Sequence, residues 1–226
     1  MSTSGTTLTG TTTSGTSGSD TTASGVTGSG TRTAAAADDG GRDGPVRIAV
    51  IIGSVRTGRF GPTAARWFAG ELAGRDDVVT DVVDLAAATL SPSLDTADDD
   101  LRRRLDAADA FVVVTPEYNH SYPAGLKSAI DAFHAEWAAK PVGFVSYGGL
   151  SGGIRAVEHL RTVFVELHGA PVRDAVSLHE FWSLFDADGR LTDGGAGAAA
   201  AHVLAGQLVW WGRALRNARA AHGTPA

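Results

Sequence analysis

The sequence predicts an α/β fold, a doubly wound three-layer sandwich around a five-stranded parallel sheet. Three observations lead there. Short runs rich in β-branched residues recur along the chain, and several are stopped by Gly or Pro. Between them lie segments whose apolar residues repeat at helical spacing. The strand runs are apolar nearly throughout, as required where helices cover both faces of a sheet. Five such units in residues 45–226 suit this architecture better than an eight-unit barrel.

The elements follow in order. Val46-Arg47-Ile48-Ala49-Val50-Ile51-Ile52 reads as a buried strand that ends at Gly53. Phe60 to about Gly74 reads as a helix, with Ala64, Ala65, Phe68 and Leu72 on its inner face. Val78 to Leu85 is a second strand, and Asp98 to Ala107 a helix. Ala110 to Thr115 is a third strand, halted by Pro116. Pro123 to about Trp137 reads as a helix that turns Leu126, Ile130 and Phe133 inward. Pro141 to Tyr147 is the fourth strand. Gly152 to Leu167 is a helix with an inner stripe of Ile154, Val157, Leu160, Phe164 and Leu167. Pro171 to Val176 is a short fifth strand. A last helix spans about Ala196 to Ala220, with Leu204, Leu208, Trp211 and Leu215 inward. The segment Ser177 to Gly194 is long for a connection. Its Phe181, Trp182 and Phe185 imply packing, with a second subunit as one partner.

Residues 1 to 44 are nearly all Ser, Thr, Gly and Ala, closed by a polar run. Such a stretch buries too little apolar surface to offset its conformational entropy, so a disordered tail is expected. The folded domain then covers 45–226. Of 226 residues 43% are hydrophobic and the formal net charge is -6. That balance argues against a nucleic-acid partner. No apolar run reaches the roughly 20 residues of a membrane helix, and the start lacks the basic and apolar regions of a secretory signal. A cytoplasmic protein is the default expectation. The absence of cysteine excludes disulfides, thiolate nucleophiles and Cys-ligated metals.

Ligands of open parallel sheets bind beyond the carboxyl ends of the strands, and three strand ends here carry unusual residues. Gly53-Ser54-Val55-Arg56-Thr57-Gly58-Arg59-Phe60-Gly61 opens the first helix. A helix N-terminus, two hydroxyls and two guanidinium groups suit a phosphate. The loop is neither a Walker A loop nor a GxGxxG turn, and an ordinary capped turn with solvated arginines is the alternative. Pro116-Glu117-Tyr118-Asn119-His120-Ser121-Tyr122-Pro123 follows the third strand. It offers stacking surface and hydrogen-bonding groups to a flat heteroaromatic ligand, or tyrosines that shield the core. His120 and Glu117 read as loop-structure residues rather than catalysts. Ser146-Tyr147-Gly148-Gly149-Leu150-Ser151-Gly152-Gly153 follows the fourth strand, and its glycines permit close backbone approach to a ligand.

Together these loops resemble the NADPH-dependent FMN reductase family, a flavodoxin-like group that includes quinone, azo-dye and chromate reductases. The resemblance rests on Gly53-Ser54-Val55-Arg56, Pro116-Glu117-Tyr118-Asn119 with the following His-Ser-Tyr-Pro and Leu126-Lys127, and Tyr147-Gly148-Gly149, in that order. It covers residues 46 to 176 and implies a sheet order of 2-1-3-4-5. It also implies FMN, bound non-covalently, with NADPH or NADH as co-substrate. Ser54, Arg56, Phe60 and Gly61 would then surround the phosphate. Pro116, Glu117, Tyr118 and Asn119 would line the ring edge, and Tyr147, Gly148 and Gly149 would complete the pocket. Many members have Ser at the position of Arg59 and Asn at that of Gly61, so Arg59 either replaces a lost contact or faces solvent.

The implied activity passes electrons from the nicotinamide through FMN to a small-molecule acceptor such as a flavin, quinone or azo dye. It needs no catalytic side chain, no metal and no membrane. A homodimer or homotetramer is the implied assembly. Arg155 is one candidate for a 2′-phosphate contact. The rivals are a flavodoxin-type electron carrier without NAD(P)H oxidase activity, and a flavin-free binding module.

Overall fold

The computed structural model describes residues 44–91, 93 and 98–225. The predicted tail, apart from Gly44, lies outside them. β1 (Val46–Ile52), β2 (Val78–Asp84), β3 (Ala110–Pro116) and β4 (Pro141–Gly148) fall where the apolar runs place them. So do α1 (Gly61–Leu72), α2 (Asp99–Ala107), α3 (Ala124–Ala132), α4 (Ile154–Glu166) and α5 (Ala196–His222). Asp98 caps α2 by accepting the Leu101 N–H at 2.9 Å. The predicted third helix is shorter than expected: it stops at Ala132, and a 3₁₀ turn, Ala135–Trp137, follows.

The fifth strand is the main correction. It is split into β5 (Ala170–Pro171) and β6 (Val176–His179), both paired in parallel with β4. Pro141 pairs with Ala170 and Val145 with Val176, so the outer strand carries two more residues than β4 over that interval. Pro171 has no N–H to give to the ladder. Beyond it, Arg161 of α4 donates to the Val172 and Arg173 carbonyls at 2.6 and 2.8 Å, bonds that keep these groups out of the ladder. The sheet runs β2-β1-β3-β4-β5, with β6 also beside β4.

Side chains alternate across this sheet. Val46, Ile48, Val50 and Ile52 of β1 join Val112 and Val114 under α1 and α5. Ala49, Ile51, Phe111 and Val113 face α2, α3 and α4. Two inner stripes differ from expectation. Ile154 is exposed, and α5 turns Gly212 rather than Trp211 to the sheet. A Cβ on Gly212 would stand 2.9 Å from Val46 Cγ1, so the helix lies too close there for an indole. The segment after β6 packs within its own chain: Phe181 and Phe185 lie 4.6 and 5.0 Å from the Phe60 ring. Trp182 stays exposed.

Candidate active site

Parallel strands place their carboxyl ends on one edge, so the loops after β1, β3, β4 and β6 converge. The β1 loop enters α1 without a side-chain cap or an acidic residue in the first turn. Pro62 brings no N–H, and Thr63 and Ala64 donate to the Phe60 carbonyl at 2.9 and 3.3 Å, so what the helix start offers is chiefly its partial positive charge, with no carboxylate to offset it. Gly61 is required by packing: a Cβ there would lie 2.7 Å from Ile52 Cγ2 and 3.2 Å from Tyr147 Oη. Ser54 is fully buried, and its hydroxyl shares a 2.8 Å hydrogen bond with Tyr118 Oη. That bond ties the β1 loop to the β3 loop. Arg56 is exposed, its guanidinium 5.8 Å from the Tyr118 ring centroid. Arg59 is mostly buried rather than free in solvent. It pairs with Asp84 at the end of β2, 2.5 Å away.

After β3, Tyr118 and Ser121 exchange backbone hydrogen bonds of 2.8 and 3.0 Å. Asn119 and His120 sit between them at φ 49° and 75°, a two-residue hairpin turn. Both are exposed at its tip. Glu117 points the other way. Its carboxylate receives Ser151 Oγ at 2.7 Å and Arg155 at 2.5 Å, and it accepts the Arg155 N–H at 3.2 Å. Burial pushes its pKa up, and the Arg155 and Ser151 hydrogen bonds pull it down further, below the ordinary value. A carboxylate held ionised in this way is a brace between β3 and α4. Arg155, the sequence candidate for a 2′-phosphate, is engaged in this brace. After β4, Gly152 and Gly153 adopt φ 59° and 88°, and a Cβ at Gly153 would meet Ser146 Cβ at 2.7 Å. These two glycines make the turn, while Gly149 lines the cleft.

The loops enclose a cleft of about 560 Å³, within the usual range of roughly 300–1,000 Å³ for small-ligand sites. Arg56, Arg59, Phe60, Pro116, Glu117, Tyr118, Tyr147, Gly148 and Gly149 line it. Ser54, Gly61 and Asn119 do not: the first two lie beneath the lining and Asn119 beyond its edge. Gly58, Thr63, Phe181 and Trp182 are lining residues that sequence reasoning missed. The pattern of Phe181 and Trp182 implies packing, with a second subunit as one partner, but nothing local shows that β6 returns them to the same edge as β4. A hollow of equal volume lies between β5 and α5. It is on the sheet edge, away from the converging loops, and Arg173 is its sole ionisable lining residue.

A parallel sheet in this order, with a cleft at the loops after β1, β3 and β4, defines a flavodoxin-like nucleotide-binding α/β protein. Comparison with known proteins narrows this class. Residues 46–183 match the family model for NADPH-dependent FMN reductases. An NAD(P)H-dependent FMN reductase of Schizosaccharomyces pombe is 38% identical over 148 residues, covering 58% of this chain and 73% of its own. A probable NADPH:quinone oxidoreductase of Oryza sativa is 36% identical over 163 residues, 66% of this chain and 83% of its own. A flavoenzyme NAD(P)H:(acceptor) oxidoreductase from Paracoccus denitrificans shares the fold, with a TM-score of 0.60 at 22% identity over 75% of this chain and 98% of its own. The chain belongs to the NADPH-dependent FMN reductase family. It is an oxidoreductase with FMN as cofactor and NAD(P)H as co-substrate.

The residues present fit FMN. Tyr147 Oη is buried near the start of α1 and makes no well-formed hydrogen bond, and Arg59 Nε is likewise buried and unpartnered. Buried polar atoms without partners are costly. Tyr147 Oη stands beside Gly61 at the start of α1, where a phosphate would supply an acceptor. Burial pushes the Tyr147 phenol well above its ordinary value, so it stays a neutral donor.

Proposed function

We propose that the cleft holds FMN with its phosphate at the β1–α1 turn and its ring between the β3 and β4 loops. The protein passes electrons from NAD(P)H to a small acceptor of the quinone, azo-dye or free-flavin type. The observation that carries this reading is that two unpartnered buried donors, Tyr147 Oη and Arg59 Nε, belong to residues lining one cleft, at a helix start with no side-chain cap.

When bound, FMN supplies the hydride and electron chemistry. The chain supplies position and field. Arg56 and the positive end of α1 would attract the phosphate, and Arg59, its charge shared with Asp84, would support that end. Ser54 holds Tyr118, and the Arg155 brace holds Glu117, so the β3 loop keeps its shape at the ring edge. Pro116 sets the exit of that loop. Gly148 and Gly149 put no side chain into the cleft that the nicotinamide and then the acceptor would enter. No side chain in the cleft is required as a general acid or base.

The same reading takes the enzyme as a cytoplasmic homodimer or homotetramer, an expectation carried by the family resemblance. Sedimentation at working concentration checks the assembly, and a clean monomer removes it. The proposed cofactor site is tested by isolating the protein and quantifying released flavin. Near-stoichiometric FMN, or tight uptake of added FMN, is expected. A colourless protein that ignores FMN overturns the reading.

A further inference from the structure

We propose that Trp182 is the stacking platform for the acceptor, the residue that favours planar aromatic acceptors over compact ones; this rests on the function proposed above. The indole is 64% exposed at the rim of the cleft. Its exposure follows from local geometry. Residues Phe181–Ser183 form a 3₁₀ turn, in which successive side chains point about 120° apart. Phe181 turns inward, 4.6 Å from Phe60 and 5.2 Å from Tyr147 between ring centroids. Trp182 is therefore driven outward.

The turn is held firmly. Glu180 donates its N–H to the Gly149 carbonyl at 3.3 Å, and the Glu180 carbonyl accepts the Ser183 N–H and Oγ, each at 2.9 Å. Glu180 itself sits at φ 45°, a conformation that costs a non-glycine residue energy. Strain and an unburied indole thus coincide at the mouth of the cleft, where neither helps the core. The ring lies against Gly149: a Cβ there would be 3.4 Å from Trp182 Cη2, so the glycine lets indole and loop meet. Trp182 also lines a neighbouring hollow of about 360 Å³, reached past Phe60, Thr63 and Phe181. The indole therefore borders both hollows. A flat ring entering the cleft gains an aromatic surface there. A compact inorganic ion gains nothing from it.

The test uses the FMN-loaded protein. Anthraquinone-2-sulfonate is the planar probe, and its affinity for the oxidised enzyme is measured by equilibrium dialysis without nicotinamide. Ferricyanide is the compact probe, read as the reoxidation rate of the NADPH-reduced enzyme. Trp182→Ala is expected to weaken anthraquinone-2-sulfonate binding about tenfold, and Trp182→Phe about threefold or less. The loss of anthraquinone-2-sulfonate affinity is expected to exceed any change in FMN content or in the ferricyanide rate. Unchanged anthraquinone-2-sulfonate affinity in Trp182→Ala overturns the proposal. So does loss of FMN, which makes Trp182 part of the cofactor pocket, or equal loss with both probes on dissociation of an oligomer, which makes it an interface residue. Failure of the parent reading looks different: the wild type itself then carries no FMN or is not reduced by NAD(P)H.

Discussion

Arg56 and Glu117 show how two charged residues in adjacent loops differ in kind. Arg56 is exposed and stands over a tyrosine ring, free to meet a ligand anion. Arg56→Ala should weaken FMN affinity by about 1.5–3 kcal/mol, roughly 10- to 150-fold in Kd, as the loss of a charged hydrogen bond. Fluorescence titration of the flavin measures it, and an unchanged Kd places Arg56 in solvent. Glu117 is a brace, its side chain only 7% exposed. Its folded pKa lies below the free value of 4.5. The stability it contributes is therefore present above pH 4.5 and is lost as pH falls through the folded value. Glu117→Gln should lower the urea midpoint at pH 7 and lose less further stability on acidification than the wild type. Parallel pH profiles would contradict the brace. The sequence showed that both residues belong to strand-end loops. Which one was bound to Arg155, a partner 38 residues away, is a tertiary fact that spacing does not carry.

At the scale of elements, the strands through β4 and all five helices were legible because their apolar patterns match the period of the structure they form. The split of the last strand was not. It depends on Arg161, a helix residue that takes the Val172 and Arg173 carbonyls. The inner face of α5 was misread at Trp211 because hydrophobicity alone favours tryptophan over glycine, while the close approach to Val46 demands Gly212. Another joint between elements gives a pH prediction. Lys140, 5% exposed at the start of β4, donates to the Leu105 and Asp106 carbonyls at the end of α2, at 2.8 and 3.1 Å. Burial, then the nearby Arg219, pushes its pKa down to about 8 from 10.5, although Asp106, Asp109 and Glu136 oppose the shift. Between these values the unfolded chain binds more protons, so stability contributed through Lys140 rises with pH across that window. Urea midpoints at pH 8 and 10.5 should show this rise in the wild type and a smaller one in Lys140→Met. Equal rises would exclude Lys140 as the source.

For the whole molecule, the decisive fact is that every described strand of the sheet runs the same way. Loops distant in sequence, Gly53 to Gly61, Pro116 to Pro123 and Ser146 to Gly153, then share one edge of the sheet. That convergence was predictable from the α/β alternation, and with it most of the cleft lining. Phe181 and Trp182 escaped because their place depends on β6 joining β4, an outcome of the same split strand. As proposed above, the enzyme takes electrons from NAD(P)H and gives them to a second small molecule in one cleft. Anaerobic mixing of the FMN-loaded protein with one equivalent of NADPH or NADH, followed by a quinone, tests it most directly. The flavin absorbance is expected to bleach with the nicotinamide and return with the quinone, at rates that support turnover. A bound flavin that neither nicotinamide bleaches would contradict it.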